Sequence, residues 1–260
     1  MTAPSILCEK VGNVANIRIS NPQSFNALTT QMWLDLRDAA RAVSRDPEIR
    51  VVTFRGEGGK AFVSGTDISG FAKFTSGADG VEYEARIDEC MLAVDEIPVT
   101  TIAIIDGWAV GGGLNIAAAC DFRIATPDAR FGSPIGRTLG NCLSVDSLTR
   151  IGGAIGVAVA KRMLLLGEII SAAELQSNGF LLDVVDRDQL DARVAEVCTR
   201  ASENAPLTTR AVKELLRRTT LDGLPSGDDV IAQVYGSEDF KRGVSEFLAR
   251  TKQVPQWSGR

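Results

Sequence analysis

The sequence predicts an α/β fold, a core of alternating strands and helices followed by a helical C-terminal region. Two observations carry that expectation. Strand-like and helix-like apolar patterns alternate over the first two-thirds of the chain, and helical periodicity dominates after residue 150. No low-complexity linker separates the two parts, so one large α/β domain with an appendage is expected within the 260 residues.

The elements follow in order. Val14 to Ile19 reads as a strand closed by the turn SNPQS. Thr30 to Val43 places Met32, Trp33, Leu36, Ala39, Ala40 and Val43 at helical spacing. Val51 to Phe54 is a short buried strand ending in the turn-rich GEGG, and Val81 to Val94 is helical. Val99 to Ile105 is the next strand, Leu114 to Cys120 the next helix, and Phe122 to Ala125 a further strand. Helices are then expected over Ile155 to Leu166, Ala172 to Asn178, Leu190 to Ser202, Leu207 to Thr219, Asp228 to Tyr235 and Asp239 to Arg250.

Composition narrows the chemistry. A net charge of −5 argues against a general binder of nucleic acid or anionic membrane. No apolar run approaches the length of a membrane span. The N-terminal MTAPSILCEKVGN lacks a basic start and an apolar stretch, and Cys8, Cys90, Cys120, Cys142 and Cys198 are scattered singly. Reduced thiols and a cytoplasmic location are therefore expected. The chain contains no histidine, which excludes a Ser-His-Asp triad, a Cys-His pair and a His-ligated metal. No metal site is expected, and acid–base work falls to Asp, Glu, Lys, Tyr, Cys or an activated water.

One junction demands an explanation. WAVGGGLNIAAACD, residues 108–121, sets three glycines between an apolar run and an alanine-rich helix. Glycine is the costliest ordinary residue to hold in one conformation, so something must approach this backbone closely. A helix N-terminus offers unpaired N–H groups to an anionic or carbonyl oxygen. The spacing is not GxGxxG, and no Walker lysine follows. An oxyanion hole and a tight packing turn both remain open on this segment alone.

A second stretch, KAFVSGTDISGF at residues 60–71, is again a short apolar strand running into a glycine turn. Together, FVSGTDI and GWAVGGGLNIAAACD resemble the oxyanion segments of the enoyl-CoA hydratase/isomerase, or crotonase, superfamily. NPQSFNALT at residues 21–29, ARFGSP at 129–134 and EDFKRGVSEFLAR at 238–250 extend that resemblance over nearly the whole chain. It implies a crotonase-type spiral of ββα units, with residues 1–200 as the acyl-CoA-binding core. Residues 201–260 would be a helical oligomerisation region, building a homotrimer or a dimer of trimers.

The resemblance also implies roles. The backbone N–H groups of Thr66 and Gly112 would hold the thioester carbonyl and stabilise its enolate. Ser24, Phe25, Ser64, Asp67 and Ile68 would line the path of coenzyme A, which enters as part of the substrate; no other cofactor is implied. Arg250 stands where the family places a residue that reaches CoA phosphate, although a solvated cation at a helix C-terminus reads equally well.

The reacting groups depart from the pattern. Hydratases of this family use two glutamates, and Asn115 and Ile135 occupy those positions here. Neither side chain is a general acid or base. GRTLGNCLSVDS, residues 136–147, brings Arg137 and Asp146 to the neighbourhood of the acyl group. Asn115, Arg137 and Asp146 are the candidates for contacting or processing it, with Glu84 or Asp88 as alternative carboxylates. Cys142 reads as a small filler. The expected activity is that of an enoyl-CoA hydratase/isomerase-family lyase or isomerase; the alternative is a non-catalytic acyl-CoA binder that kept the fold.

Overall fold

A computed structural model describes residues 3–220 and 228–250. Its strands form two sheets. The larger has six strands in the order β1 (Ser5–Val11), β2 (Val14–Ser20), β3 (Val51–Gly56), β5 (Thr100–Ile105), β7 (Phe122–Ala125), β10 (Asp183–Val184). The smaller has four, in the order β4 (Ala61–Val63), β6 (Trp108–Val110), β8 (Arg130–Gly132), β9 (Ile170–Ser171). Among the described residues only the hairpin β1–β2 and the pair β8–β9 are antiparallel.

The chain advances by a repeated move. It lays a strand in the large sheet, a short strand in the small sheet, and then a helix. The pairs β3–β4, β5–β6 and β7–β8 are followed respectively by α2 (Gly77–Asp95), α3 (Gly112–Ala119) and α4 (Ile135–Thr138). Before this spiral, α1 (Thr30–Arg45) buries Met32, Trp33, Leu36, Ala40 and Val43, the face its sequence period specifies. The Thr29 hydroxyl caps the helix by accepting from Met32 N–H.

Strand β5 is buried at all six positions because both faces of the sheet are covered. Ala103 and Ile105 belong to the main core with α1 and α2, whereas Ile102 and Ile104 pack with Leu190 and Val194 of α8 (Leu190–Ser202). This explains a continuous apolar run in place of an alternating one.

Three expectations are redrawn. The triple glycine does not follow β5 directly; a turn at Asp106 and Gly107 and the strand β6 intervene. Gly107, at φ 86°, crosses against Lys60, whose carbonyl oxygen would stand 2.1 Å from an added Cβ. The helix expected from Ile155 to Leu166 is α6 (Val157–Leu165), and a further helix that was not expected, α5 (Val145–Ile155), precedes it across a break at Gly156 with φ 82°. Strand β1 adds an edge whose residues are mostly exposed, so no apolar pattern announced it.

After α7 (Ala172–Ser177) and α8, the C-terminal region comprises α9 (Pro206–Thr220), α10 (Asp228–Tyr235) and α11 (Glu238–Leu248). Residues 221–227 and 251–260 of that expected region lie outside the described residues. Helix α10 packs on α2, and α11 packs on the turn of 3-10 helix at Ile68–Lys73. A separate apolar cluster forms there from Ile68, Phe71, Leu139, Ile231, Tyr235, Phe240 and Val244. Among the described residues no helix is long and apolar enough to cross a membrane.

Candidate active site

Two backbone turns meet at the site, and the sequence explains the shape of each. In the first, Phe25 and Asn26 adopt left-handed backbone at φ 51° and 59°. Asparagine tolerates that region, and the buried Asn26 side chain uses both ends. Its Oδ1 accepts from Asn21 N–H at 2.9 Å, and its Nδ2 donates to the carbonyls of Glu57 and Ala61, each at 2.8 Å. The turn is thereby clamped beside the β3–β4 connection.

That clamp aims the next segment. Leu28 N–H donates to Gly65 O at 2.9 Å and Asp67 N–H donates to Leu28 O at 2.8 Å. Backbone groups alternate in direction along extended chain, so the Thr66 N–H points away from Leu28. Among the described residues it has no acceptor. The Thr66 hydroxyl is held by Trp33 Nε1 at 3.2 Å and by Tyr83 Oη at 3.0 Å.

The second turn is the triple glycine. Gly111 sits at φ 54° and ψ −115°, a conformation suited to glycine. A Cβ on Gly112 would lie 2.8 Å from Trp33 Cζ2, and one on Gly113 would lie 2.1 Å from the carbonyl oxygen of Val63. Gly112 opens α3, so its N–H has no intrahelical acceptor and none elsewhere among the described residues. The same Gly112 Cβ position is 3.7 Å from the Gly65 carbonyl carbon, the atom bonded to Thr66 N. What comes too close for side chains is therefore the Trp33 ring and the backbone of β4 at Val63, while the other turn lies in ordinary contact at Gly65. Two unpartnered N–H groups are left side by side.

Both line a cavity of about 170 Å³. Its apolar walls include Ile68, Phe71, Ile87, Ile135, Leu139, Leu143, Ile151 and Phe247, and its polar walls include Glu84, Asn115, Asn141 and Ser147. Trp33, Thr66, Phe71, Tyr83 and Ile87 are shared with an adjoining cavity of about 290 Å³, whose wall also carries Asp67, Lys73 and Arg86.

The residues singled out in the sequence divide accordingly. Thr66, Gly112, Asn115, Ser64 and Ile68 line the first cavity, and Asp67 lines the second. Ser24 and Phe25 lie outside both linings; their carbonyls accept from Ser64 Oγ at 3.3 Å and from Ser64 N–H at 3.1 Å. Asp67 accepts from Ser69 N–H and caps the 3-10 turn. Arg250 is exposed at the end of α11, three residues beyond Phe247. Arg137 is also exposed, its aliphatic stem packed over Gly167. Asp146 stands in the first turn of α5, outside the lining.

Asn115 is fixed at both ends. Its Nδ2 donates to Ser147 Oγ at 2.9 Å, and its Oδ1 accepts from Arg150 at 3.2 Å. Arg150 is in turn paired with Asp95 at 2.6 Å in a nearly fully buried ion pair. Ile135 supplies only hydrocarbon. Cys142 is part-buried, and burial pushes its thiol up to about 12, which makes a thiolate nucleophile unavailable near neutral pH.

The group that sequence reasoning placed only among alternatives is Glu84. It is 2 % exposed and is, among the described residues, the one Asp, Glu, Lys or Arg side chain in the cavity lining. Its Oε1 accepts from Tyr235 Oη at 2.6 Å and its Oε2 accepts from Ser144 N–H at 3.0 Å. Burial pushes the carboxyl up to about 7, while the bonds from Tyr235 and Ser144 pull it down. Asp88, one turn further along α2, accepts from Ser144 Oγ at 2.6 Å and is raised by burial. Tyr235 carried no sequence signal at all; it reaches the site from α10.

Comparisons with known proteins identify the family and the fold. A profile of the family described as enoyl-CoA hydratase/isomerase matches residues 9–260. Crotonyl-CoA hydratase of Syntrophomonas wolfei subsp. wolfei is 30% identical over 257 residues, covering 97% of this chain and 98% of that protein. A crystal structure of an enoyl-CoA hydratase/carnithine racemase from Magnetospirillum magneticum superposes with TM-score 0.80 at 30% identity, covering 97% of this chain and 96% of that one. Methylmalonyl CoA decarboxylase complexed with 2S-carboxypropyl CoA superposes with TM-score 0.88 at 25% identity, with full coverage of both chains (100%). The expected spiral of ββα units is thus the fold observed. With two unpaired N–H groups set where that fold's sequence motifs fall, the chain belongs to the enoyl-CoA hydratase/isomerase family, the crotonase superfamily of acyl-CoA enzymes.

Proposed function

We propose that the Thr66 and Gly112 N–H groups bind the thioester carbonyl of an acyl-CoA and stabilise the enolate formed from it. The observation that carries this reading is the pair of unpartnered donors on facing turns at one cavity. Two preorganised donors in a water-poor site contribute several kcal/mol to a developing oxyanion, on the order of 3 kcal/mol each. The solved relatives include a decarboxylase bound to 2S-carboxypropyl CoA, which supports CoA as the handle of the substrate.

The chemistry differs from that of a two-glutamate hydratase. Asn115 is committed to Ser147 and Arg150, and Ile135 is apolar. Lyase or isomerase chemistry through a thioester enolate remains open to such a site; efficient hydration of simple 2-enoyl thioesters does not. Those same two side chains favour the second reading, a binder of acyl-CoA without turnover. We further infer assembly into a homotrimer or dimer of trimers, supported by Leu207, Val212 and Leu215 of α9, which are 78%, 51% and 61% exposed. Light scattering of the full chain measures that state.

Calorimetry with acetoacetyl-CoA and with acetoacetate tests the central reading. The CoA ester is expected to bind and the free acid not. Equal binding of both, or of neither, would remove the acyl-CoA assignment.

A further inference from the structure

Resting on the acyl-CoA reading above, we propose that Glu84 is the carboxylate that moves the substrate proton in this enzyme, with Tyr235 as its positioning residue. Position 135 offers only hydrocarbon, and position 115 an amide held from both sides. Among the described residues Glu84 is the sole Asp or Glu in the wall of the cavity that also holds Thr66 and Gly112. It reaches that wall from α2, an element that carries neither of the positions where the family's glutamates fall.

Its surroundings suit proton transfer. Each carboxylate oxygen accepts one hydrogen bond, from Tyr235 Oη at 2.6 Å and from Ser144 N–H at 3.0 Å, which fixes the group without neutralising it. The one proton on Tyr235 goes to Glu84, so the Asn141 amide must donate to the phenol, as it does at 3.2 Å. That leaves Asn141 Oδ1 as a buried acceptor without a partner, in the same cavity wall. A polar group of a bound ligand would satisfy it. The remaining walls are mostly hydrocarbon and hold no second carboxylate to position a water.

The step balances within the substrate. A Glu84 oxygen removes a proton from the carbon next to the thioester carbonyl. The C–H electron pair becomes the new carbon–carbon π bond, and the carbonyl π pair moves to oxygen. That oxyanion is held by the Thr66 and Gly112 N–H groups. Glu84 then returns the proton, to the same carbon or to the far end of an allylic enolate. No oxidant, reductant or added water is consumed. The substrate class is an acyl-CoA whose α C–H is acidified, such as a 3-enoyl thioester.

The test is deuterium uptake from D2O into 3-butenoyl-CoA, followed by mass spectrometry, beside acetoacetyl-CoA binding by calorimetry. The wild-type chain is expected to incorporate deuterium. Glu84→Gln keeps the shape of the side chain and one acceptor oxygen, which can take the Ser144 N–H while the new amide NH2 faces Tyr235 Oη. It should bind acetoacetyl-CoA as before, yet exchange about 10²–10⁴-fold more slowly. The wild-type rate should rise with pH through a midpoint near 7. The titratable groups facing Glu84 are Asp88 and Tyr83 on α2, Tyr235 on α10 and Cys142 in the loop before α5. Tyr235→Phe removes a bond that lowers the carboxyl, so it should move that midpoint upward with KM little changed. A merely structural tie between α2 and α10 would leave the midpoint in place. Thioester binding without exchange in the wild type, or unchanged exchange in Glu84→Gln, would overturn the proposal while leaving the acyl-CoA reading standing. Absence of thioester binding would remove both.

Discussion

Gly113 stands so close to Val63 that a Cβ at this position would lie 2.1 Å from the Val63 carbonyl oxygen. The contact locks α3 against β4, the strand that leads into the Thr66 turn. Gly113→Ala must therefore separate the two turns or fail to fold. Gly111→Ala tests the neighbouring position by another route: its φ of 54° is strained for any side chain, at about 1–3 kcal/mol. Thermal melts of both variants are expected to show a larger loss for Gly113→Ala. A melt equal to wild type would mean that the turns are not coupled as described.

Hydration of crotonyl-CoA by the wild-type chain should fall orders of magnitude below that of an efficient enzyme. One positioned acid–base group is worth about 10²–10⁴ in rate, although losses of groups acting together do not add. The double variant Asn115→Glu and Ile135→Glu should raise that rate. Arg150, now bonded to Asn115, would hold a new carboxylate at 115 in its ionised form, suited to act as base. Efficient hydration by the wild type would show that other residues had taken over both roles.

The C-terminal helices should be inseparable from the core. Tyr235 and Phe240 are each 1% exposed and pack with Ile68 and Phe71 beside the Thr66 turn. Deleting residues 206–260 uncovers that apolar floor, and an insoluble or unfolded product is expected. Phe240→Ala, a milder cut, should cost about 3–5 kcal/mol in chemical denaturation. A soluble truncation that still binds acetoacetyl-CoA would contradict this packing.

Stability should depend on pH through Glu84. Its carboxyl is raised from an ordinary 4.5 to about 7, so the folded chain holds a proton that the unfolded chain has released between those values. The wild type therefore loses stability, relative to Glu84→Gln, as pH rises from about 4.5 to about 7, and the difference is constant above that window. Melting temperatures of both proteins measured across the window check the sign. A wild type that gained stability relative to Glu84→Gln as pH rose through the window would contradict the burial described for Glu84.

Much of this fold was legible because long elements carry strong periods. The bounds of β7, α8 and α10 agree to the residue with the apolar runs Phe122 to Ala125, Leu190 to Ser202 and Asp228 to Tyr235. Short or edge elements carry little periodicity. Strand β6 is three residues long and β1 is mostly exposed, so neither stood out. The glycine junction was readable as a close approach because glycine there has a backbone reason. Which backbone approached was a matter of tertiary structure. The placement of Glu84 against Tyr235 was not readable, since 151 residues separate them and neither belongs to a local motif.

The most direct measurement of the central claim is the carbonyl stretch of a bound thioester, read by infrared difference spectroscopy with and without carbonyl-13C labelling of acetoacetyl-CoA. Donation from both Thr66 and Gly112 N–H groups polarises the C=O bond, so its frequency should fall below that of the same thioester in water. Replacing the Gly112 amide by a backbone ester, with glycolic acid in place of glycine, deletes one donor without adding a Cβ against Trp33, and its bound thioester should show a smaller fall. A bound thioester whose carbonyl absorbs at its aqueous frequency in the wild-type protein would contradict the account.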